Sequence, residues 1–433
     1  MLLAERCGRD GLSKVDKNLL TTLVNGVIRL RLSLDTVISF FSKIPVNKIE
    51  PWTMQALRLG LYQIIYLDKI PASAAVNTSV ELVKKLTHRT DAAKFTNAVL
   101  RSAERSILNK SAQKSNDPHK ELYRRENSWC EFQQPIFPDP DRQPALYLAV
   151  QHSHPEWLVK RWLDRYGKEK SAEICKTNNL PPKLFLRINQ KKISVQKFIA
   201  LLDKEGIRSR DVDGAVAVDD TAVSAIPGFV EGLFYVQDVS AMKTACFLRA
   251  EASNHVLDMC AAPGGKAIHI AELVGDAGRV YAMDISLKRL QLVKENCRRM
   301  GIHTVFAVCA DASNGKAPFR ANFDRILIDA PCSNTGVFSR RPEARWRIKE
   351  DDIGALAALQ YAILETGASL LKCGGVMVYS TCSIEPEENQ KLIEQFIRNR
   401  PQFYLDGEEY YTPDAHAGDG GYMARICKRS SWN

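Results

Sequence analysis

From residue 254 onward the chain alternates short, mostly apolar runs with longer helical runs, and few architectures accept that pattern. The apolar runs are Val256-Leu257-Asp258-Met259, Val280-Tyr281-Ala282-Met283, Val305-Phe306-Ala307-Val308, Ile326-Leu327-Ile328-Asp329 and Val376-Met377-Val378-Tyr379. A strand apolar on both sides must be covered on both faces, and helices between such strands make the pairing parallel. The pattern predicts a doubly wound, mostly parallel sheet over residues 251–433. Ligands of such sheets bind at the carboxyl ends of the strands, so informative residues should stand just after each apolar run.

The rest of the chain divides by pattern. Residues 1–106 read as all-helical: Leu19, Leu20, Leu23, Val24, Val27 and Ile28 fall at helical spacing, as do Leu57, Leu61, Ile64 and Ile65, then Val76, Val80 and Val83. Pro45, Pro51 and Pro71 punctuate these helices. Residues 107–145 are polar and then proline-rich, and predict an extended linker. Residues 146–250 predict a small α+β subdomain, with a strand at Leu184–Asn189 and a helix over Lys191–Lys204.

Net charge is +10, and residues 1–105 carry +7 of it, with 16 Lys/Arg against 9 Asp/Glu. A basic excess there favours a polyanionic partner, with the helical part as the docking surface. Met1 to Arg6 shows no apolar leader core, and no run approaches the ~18 apolar residues of a membrane span. The 11 cysteines are scattered without a C-x-x-C pair, which signals neither a zinc site nor a disulfide framework. Reduced thiols and a cytoplasmic location are the expectation.

Residues with chemistry follow the strands. Asp258-Met259-Cys260-Ala261-Ala262-Pro263-Gly264-Gly265-Lys266 leads from the first strand into a helix, and its glycines allow a tight turn close to a cofactor. Asp284 ends the second strand, where a carboxylate can accept from ribose hydroxyls or cap the helix that starts near Ser286. Asp311 follows the third strand, where it could bond an adenine amino group or stand solvated. Three such sites after three successive strands argue together for a nucleoside cofactor. Asp329-Ala330-Pro331-Cys332-Ser333 and Ser380-Thr381-Cys382-Ser383 each then place a cysteine at the mouth of the sheet. A lone cysteine is ordinarily a small buried hydrophobe; two in small polar loops on the cofactor side call for chemistry.

At these residues the sequence resembles the RNA cytosine-C5 methyltransferases of the Nol1/Nop2/Sun (Fmu) type. The resemblance continues in Gly232–Asp238 and Arg340–Trp346. Leu57-Arg58-Leu59-Gly60-Leu61-Tyr62-Gln63, Ala74-Ala75-Val76-Asn77 and Asn97-Ala98-Val99-Leu100-Arg101 are similar to the helical domain of the antitermination factor NusB. The combination is that of the bacterial 16S rRNA methyltransferase B group, with little of the first helix before Asp16. It implies a NusB-like bundle followed by a Rossmann-like class I methyltransferase domain. The implied cofactor is S-adenosyl-L-methionine and the implied partner is 16S ribosomal RNA, methylated at C5 of cytosine 967 to 5-methylcytosine. No metal and no membrane are implied, and the chain is expected to act as a monomer.

Cytosine C5 is a poor nucleophile until a thiolate adds at C6. The resemblance gives that attack to Cys382, product release to Cys332, and the cytosine N3/N4 edge to Asp329. Cys260 to Lys266 would cradle the methionine moiety, with Lys266 polarising the site or meeting the cofactor carboxylate. Arg340, Arg341, Arg345 and Arg347 could meet RNA phosphates at the mouth of the site, or form a solvated loop. Three rivals are weaker. A non-catalytic RNA-binding protein need not keep both cysteines and the glycine turn. A DNA cytosine methyltransferase does not need the Thr-Cys cysteine. An amino-methyltransferase would carry Asp/Asn-Pro-Pro-Tyr where Asp329-Ala330-Pro331-Cys332 stands.

Overall fold

The computed structural model describes residues 11–219, 221–315, 317–319, 322–414 and 418–430. The readings made on Met1 to Arg6, and most of the segment before Asp16, lie outside these residues. The chain forms two compact units that divide between Asn179 and Leu180.

The first unit opens with five helices: α1 (Lys14–Arg29), α2 (Arg31–Phe41), α3 (Pro51–Tyr66), α4 (Ala72–Thr87) and α5 (Thr90–Ser106). Their starts are chemically marked. Ser13 caps α1 by accepting from Asp16 N, and the Glu50 carboxylate caps α3 ahead of Pro51 by accepting from Trp52 N and Thr53 N. Leu34, Val37, Ile38, Leu57, Leu61, Ile65, Val76 and Leu100 are buried in one core, so the helical spacing marks the inner faces correctly. Leu19 is the exception and stays exposed.

The stretch 107–145 is not the linker that its composition predicts. It folds as β1 (Ile107–Ser111), β2 (Glu121–Arg125) and β3 (Ser128–Phe132), an antiparallel sheet of order β1-β3-β2. Leu122, Cys130, Phe132 and Phe137 are buried in the same core as the helices. The strands are five residues long and polar on their outer side, so a few apolar side chains decide the fold while composition averages them away. Pro144 begins α6 (Pro144–His152) rather than ending a linker, and α7 (Glu156–Thr177) follows, broken at Gly167. The predicted 146–250 subdomain is therefore divided: α6 and α7 belong to the first unit and the remainder to the second.

The second unit starts with β4 (Leu184–Ile188), α8 (Val195–Lys204), β5 (Ser209–Val212), β6 (Ala215–Val218), β7 (Phe234–Val236) and α9 (Val239–Phe247). The four strands form a small antiparallel sheet, β5-β6-β4-β7. Next come β8 (His255–Asp258), α10 (Gly265–Val274), β9 (Arg279–Asp284), α11 (Leu287–Met300), β10 (Val305–Cys309) and β11 (Phe323–Asp329). The chain ends with α12 (Ala344–Arg347), α13 (Glu350–Leu370), β12 (Leu371–Thr381), α14 (Gln390–Asn399), β13 (Phe403–Tyr411) and β14 (Gly421–Lys428).

The large sheet has the order β10-β9-β8-β11-β12-β14-β13. Its first five strands are parallel and hold all five predicted apolar runs, while β13 and β14 pair antiparallel at one edge. From β8 the chain winds outward to β10, then crosses back to β11 on the other side. The direction of winding thus reverses between β8 and β11, and a crevice opens there above the carboxyl ends. The crossover helix α13 is, by length and composition, apolar enough to span a membrane, contrary to the sequence reading. It buries Ile363, Leu364 and Ala368 in the core of the sheet instead.

Candidate active site

A cleft of about 720 Å³ occupies this switch point. Cys260, Ala262, Pro263, Lys266, Asp284, Asp311, Asp329, Cys332 and Cys382 all line it. Of the predicted residues, Ala261, Gly264 and Gly265 lie outside the lining and shape the turn instead.

That turn is held from below. Ala261 N donates to Met283 O (2.8 Å) and Ala262 N to Asp284 Oδ2 (3.2 Å), which ties the loop after β8 to the end of β9. Gly264 adopts φ 105°, open to glycine at little cost. A Cβ on Gly265 would lie 2.9 Å from the Tyr235 ring. Asp284 does not cap α11; Ser286 does. Asp284 accepts from Ser286 N at 2.9 Å, and its other oxygen lies 3.4 Å from the Arg289 guanidinium. Asp311 accepts from the Ser313 hydroxyl and backbone N, which hold its carboxyl below the usual range. Two fixed carboxylates beside a turn that a Cβ would fill suit a nucleoside with a charged tail.

Lys266 comes from the first turn of α10 and spans the switch point. Its Nζ lies 2.7 Å from Asp329 Oδ2, and Ser380 Oγ donates to Asp329 Oδ1 at 3.0 Å. Burial opposes charge on Lys266, but contact with Asp329 outweighs it and the ammonium pKa is raised. Asp258, at the end of β8, is fully buried with neither carboxylate oxygen hydrogen-bonded. Burial, then the nearby Asp329 charge, push it up to about 8. This carboxyl was not singled out in the sequence, where it reads as the end of a strand.

The register of β11 against β12 sets Asp329 opposite Ser380, so the loops that follow emerge side by side. Cys332 Sγ and Cys382 Sγ lie 3.1 Å apart, and both are free thiols. Cys382 also contacts Asn334 Oδ1 at 3.4 Å. Its hydrogen bond with Cys382 and its burial raise the Cys332 thiol well above the ordinary range. Cys260, also in the cleft, is pushed up by burial and the surrounding carboxylates.

The arginines after β11 do different work from one another. Arg340 donates to Asp238 Oδ2 (2.8 Å), to Lys183 O (2.9 Å) and to Asp419. Arg345 is fully buried over the Phe338 ring. Arg341 and Arg347 are exposed, and only these two fit the predicted place at a solvent-facing mouth. Glu388, Gln360, Asn334 and Asp419 are site residues that the sequence reading missed. Glu388 sits in Glu-Pro-Glu-Glu-Asn, directly after the Thr-Cys motif, and its position was the available signal.

Comparison with known proteins agrees with this geometry. The family model described as 16S rRNA methyltransferase RsmB/F matches residues 245–429, and the NusB family model matches residues 2–105. A ferredoxin-like domain model of RsmF/B-like methyltransferases matches residues 154–220. The Probable ribosomal RNA small subunit methyltransferase B of Bacillus subtilis (strain 168) is 37% identical over 94% of this chain and 85% of its own length. The Ribosomal RNA small subunit methyltransferase B of Shigella flexneri serotype 5b is 34% identical over 96% of this chain and 92% of its own. The crystal structure of PH0851 superposes with a TM-score of 0.77 at 25% identity, over 96% of this chain and 91% of that one.

Proposed function

The chain belongs to the 16S rRNA methyltransferase RsmB/F family, and from that premise we propose that it methylates C5 of a cytosine, number 967 of 16S rRNA, using S-adenosylmethionine and a covalent bond from Cys382 to C6. The observation that carries this reading is the pair of thiols 3.1 Å apart beside the Lys266–Asp329 ion pair, in one cleft with the glycine turn.

The target base leaves any stack to reach the cleft. The basic helical bundle supplies the electrostatic attraction to the RNA, and Arg341 and Arg347 meet phosphates near the cleft. Asp329 bonds the N3/N4 edge of the base, and Lys266 beside it balances the charge that builds on the ring. Cys332 S–H donates to the Cys382 sulfur and so favours thiolate on Cys382, the attacker. The thiolate adds to C6, and the ring electrons move to C5. S-adenosylmethionine supplies an electrophilic methyl group, and Cys260, Ala262, Pro263, Asp284 and Asp311 line the place that would hold it. Once Cys382 is bonded to C6 it no longer carries negative charge beside Cys332, so Cys332 ionises more readily. Cys332 then takes the C5 proton; the C–H electrons restore the C5–C6 double bond and the C6–S pair returns to Cys382.

The test is methyl transfer to protein-free 16S rRNA by wild type, Cys382→Ala and Cys332→Ala. The reading expects 5-methylcytosine at position 967 from wild type, none from Cys382→Ala, and a trapped protein–RNA adduct from Cys332→Ala. Activity retained by Cys382→Ala with activity lost in Cys332→Ala would reverse the two roles.

A further inference from the structure

Behind the two thiols lies a buried carboxylate that the chemistry above does not use. Glu388 is fully buried, yet its bonded partners are all neutral. Its Oε1 accepts from Ser333 N and from Gln360 Nε2, both at 2.9 Å. Its Oε2 accepts from the Ser333 and Ser383 hydroxyls. Ser333 follows Cys332 directly and Ser383 follows Cys382 directly, so one carboxylate grips both cysteine loops one residue beyond each sulfur. Gln360 adds a bond to Pro331 O at 2.9 Å, just before Cys332. Tyr379 OH donates to Glu388 O at 2.6 Å and fixes the carboxylate's own backbone.

Removing a carboxylate from water without a cation is costly. A pair of loops joined only for stability would be served as well by neutral groups. We propose that Glu388 is the positioning residue that sets the register of the two cysteine loops and holds the Cys332 and Cys382 sulfurs in reacting contact; the inference rests on the two-thiol reading of the site. The backbone bond from Gly336 N to Cys382 O (3.0 Å) joins the loops but leaves the segments at the sulfurs free to shift. Only Glu388 bonds both neighbours of the thiols at once.

Glu388→Ala removes all four contacts, whereas Glu388→Gln keeps a carbonyl for Ser333 N and Gln360 and meets the hydroxyls with an amide. Because displacement by about 1 Å costs about 100-fold in rate, Glu388→Ala should lose about that much kcat, with KM for rRNA within about twofold of wild type. Glu388→Gln should recover to within about tenfold of wild type. A second readout follows the sulfurs themselves. Diamide takes two hydrogens from a thiol pair and leaves a disulfide, so the rate of Cys332–Cys382 cross-linking, read by peptide mass, reports their contact. It should be fast in wild type and in Glu388→Gln, and about tenfold slower in Glu388→Ala, since thiol exchange depends on access and geometry. If Glu388→Ala does not fold, the Ser333→Ala, Ser383→Ala double variant is measured in its place, with the same direction expected. Wild-type kcat and cross-linking in the variant lacking these contacts would overturn the inference. So would a Glu388→Gln variant as slow as Glu388→Ala that still cross-links at the wild-type rate. Cys382→Ala run in parallel separates the two claims. If it is dead while Glu388→Ala behaves as wild type, only the positioning role fails; if it is active, the two-thiol reading fails and this inference falls with it.

Discussion

Replacing Arg340 with methionine should destabilise the second unit at neutral pH rather than weaken RNA binding. The guanidinium is shared by Asp238 and Asp419, whose side chains are only 9% and 8% exposed. Methionine fills similar volume but leaves two buried carboxylates facing each other without a cation. Breaking a buried pair from one side costs about 3–5 kcal/mol. Arg340 itself is 27% exposed, so the lower end, about 3 kcal/mol, is the appropriate figure. For a unit of this size that is a drop in Tm of about 6–12 °C. The loss should depend on pH with a definite sign. Burial, opposed in part by Arg340, pushes Asp419 up to about 6. Its folded-state proton affinity thus exceeds that of the unfolded chain, and the fold loses stability as pH rises from about 4 to about 6. Without Arg340 that window moves higher. The Tm gap between wild type and variant should therefore be full at pH 8 and much smaller at pH 5, where Asp419 is protonated. Scanning calorimetry at the two pH values measures it. An unchanged Tm at pH 8, together with weaker and less salt-dependent rRNA binding, would show that Arg340 is a phosphate contact and refute the reasoning.

Two further outcomes are expected. Gly265→Ala puts a Cβ 2.9 Å from the Tyr235 ring, and the overpacked helix start should weaken S-adenosylmethionine binding by about tenfold in titration calorimetry; unchanged affinity would mean that the turn relaxes freely. Asp258, raised to about 8, subtracts stability progressively as pH rises from about 4 through 8. Asp258→Asn stays neutral, so its Tm relative to wild type should climb between pH 6 and pH 9, and parallel pH profiles would show that Asp258 is not the group responsible.

The sequence by itself determined the parts governed by short-range pattern. All five parallel strands, the inner faces of α3 and α4, and the loop after each strand are legible because they depend on residues within a turn or two of one another. The side of the sheet that carries the site follows from the same pattern, since ligands of a doubly wound sheet gather at the carboxyl ends. The glycine turn, Asp284, Asp311 and both cysteines were found that way. What needed the tertiary structure are pairings between distant residues. Cys332 and Cys382 stand 50 residues apart in sequence, and only the register of β11 against β12 brings their sulfurs together. Arg340 and Arg345 look like their exposed neighbours Arg341 and Arg347 until Asp238, Asp419 and Phe338 are placed around them. Residues 107–145 read as polar linker because four buried side chains, Leu122, Cys130, Phe132 and Phe137, cannot lift the average of a polar stretch, though a common core makes them decisive. Glu388 shows the same limit: a glutamate in an acidic run is ordinarily solvated, and only packing reveals that it is buried between both cysteine loops. Local pattern specifies which elements form, whereas the partner of a side chain is settled by the free energy of burying it, which depends on what the rest of the chain brings to that place.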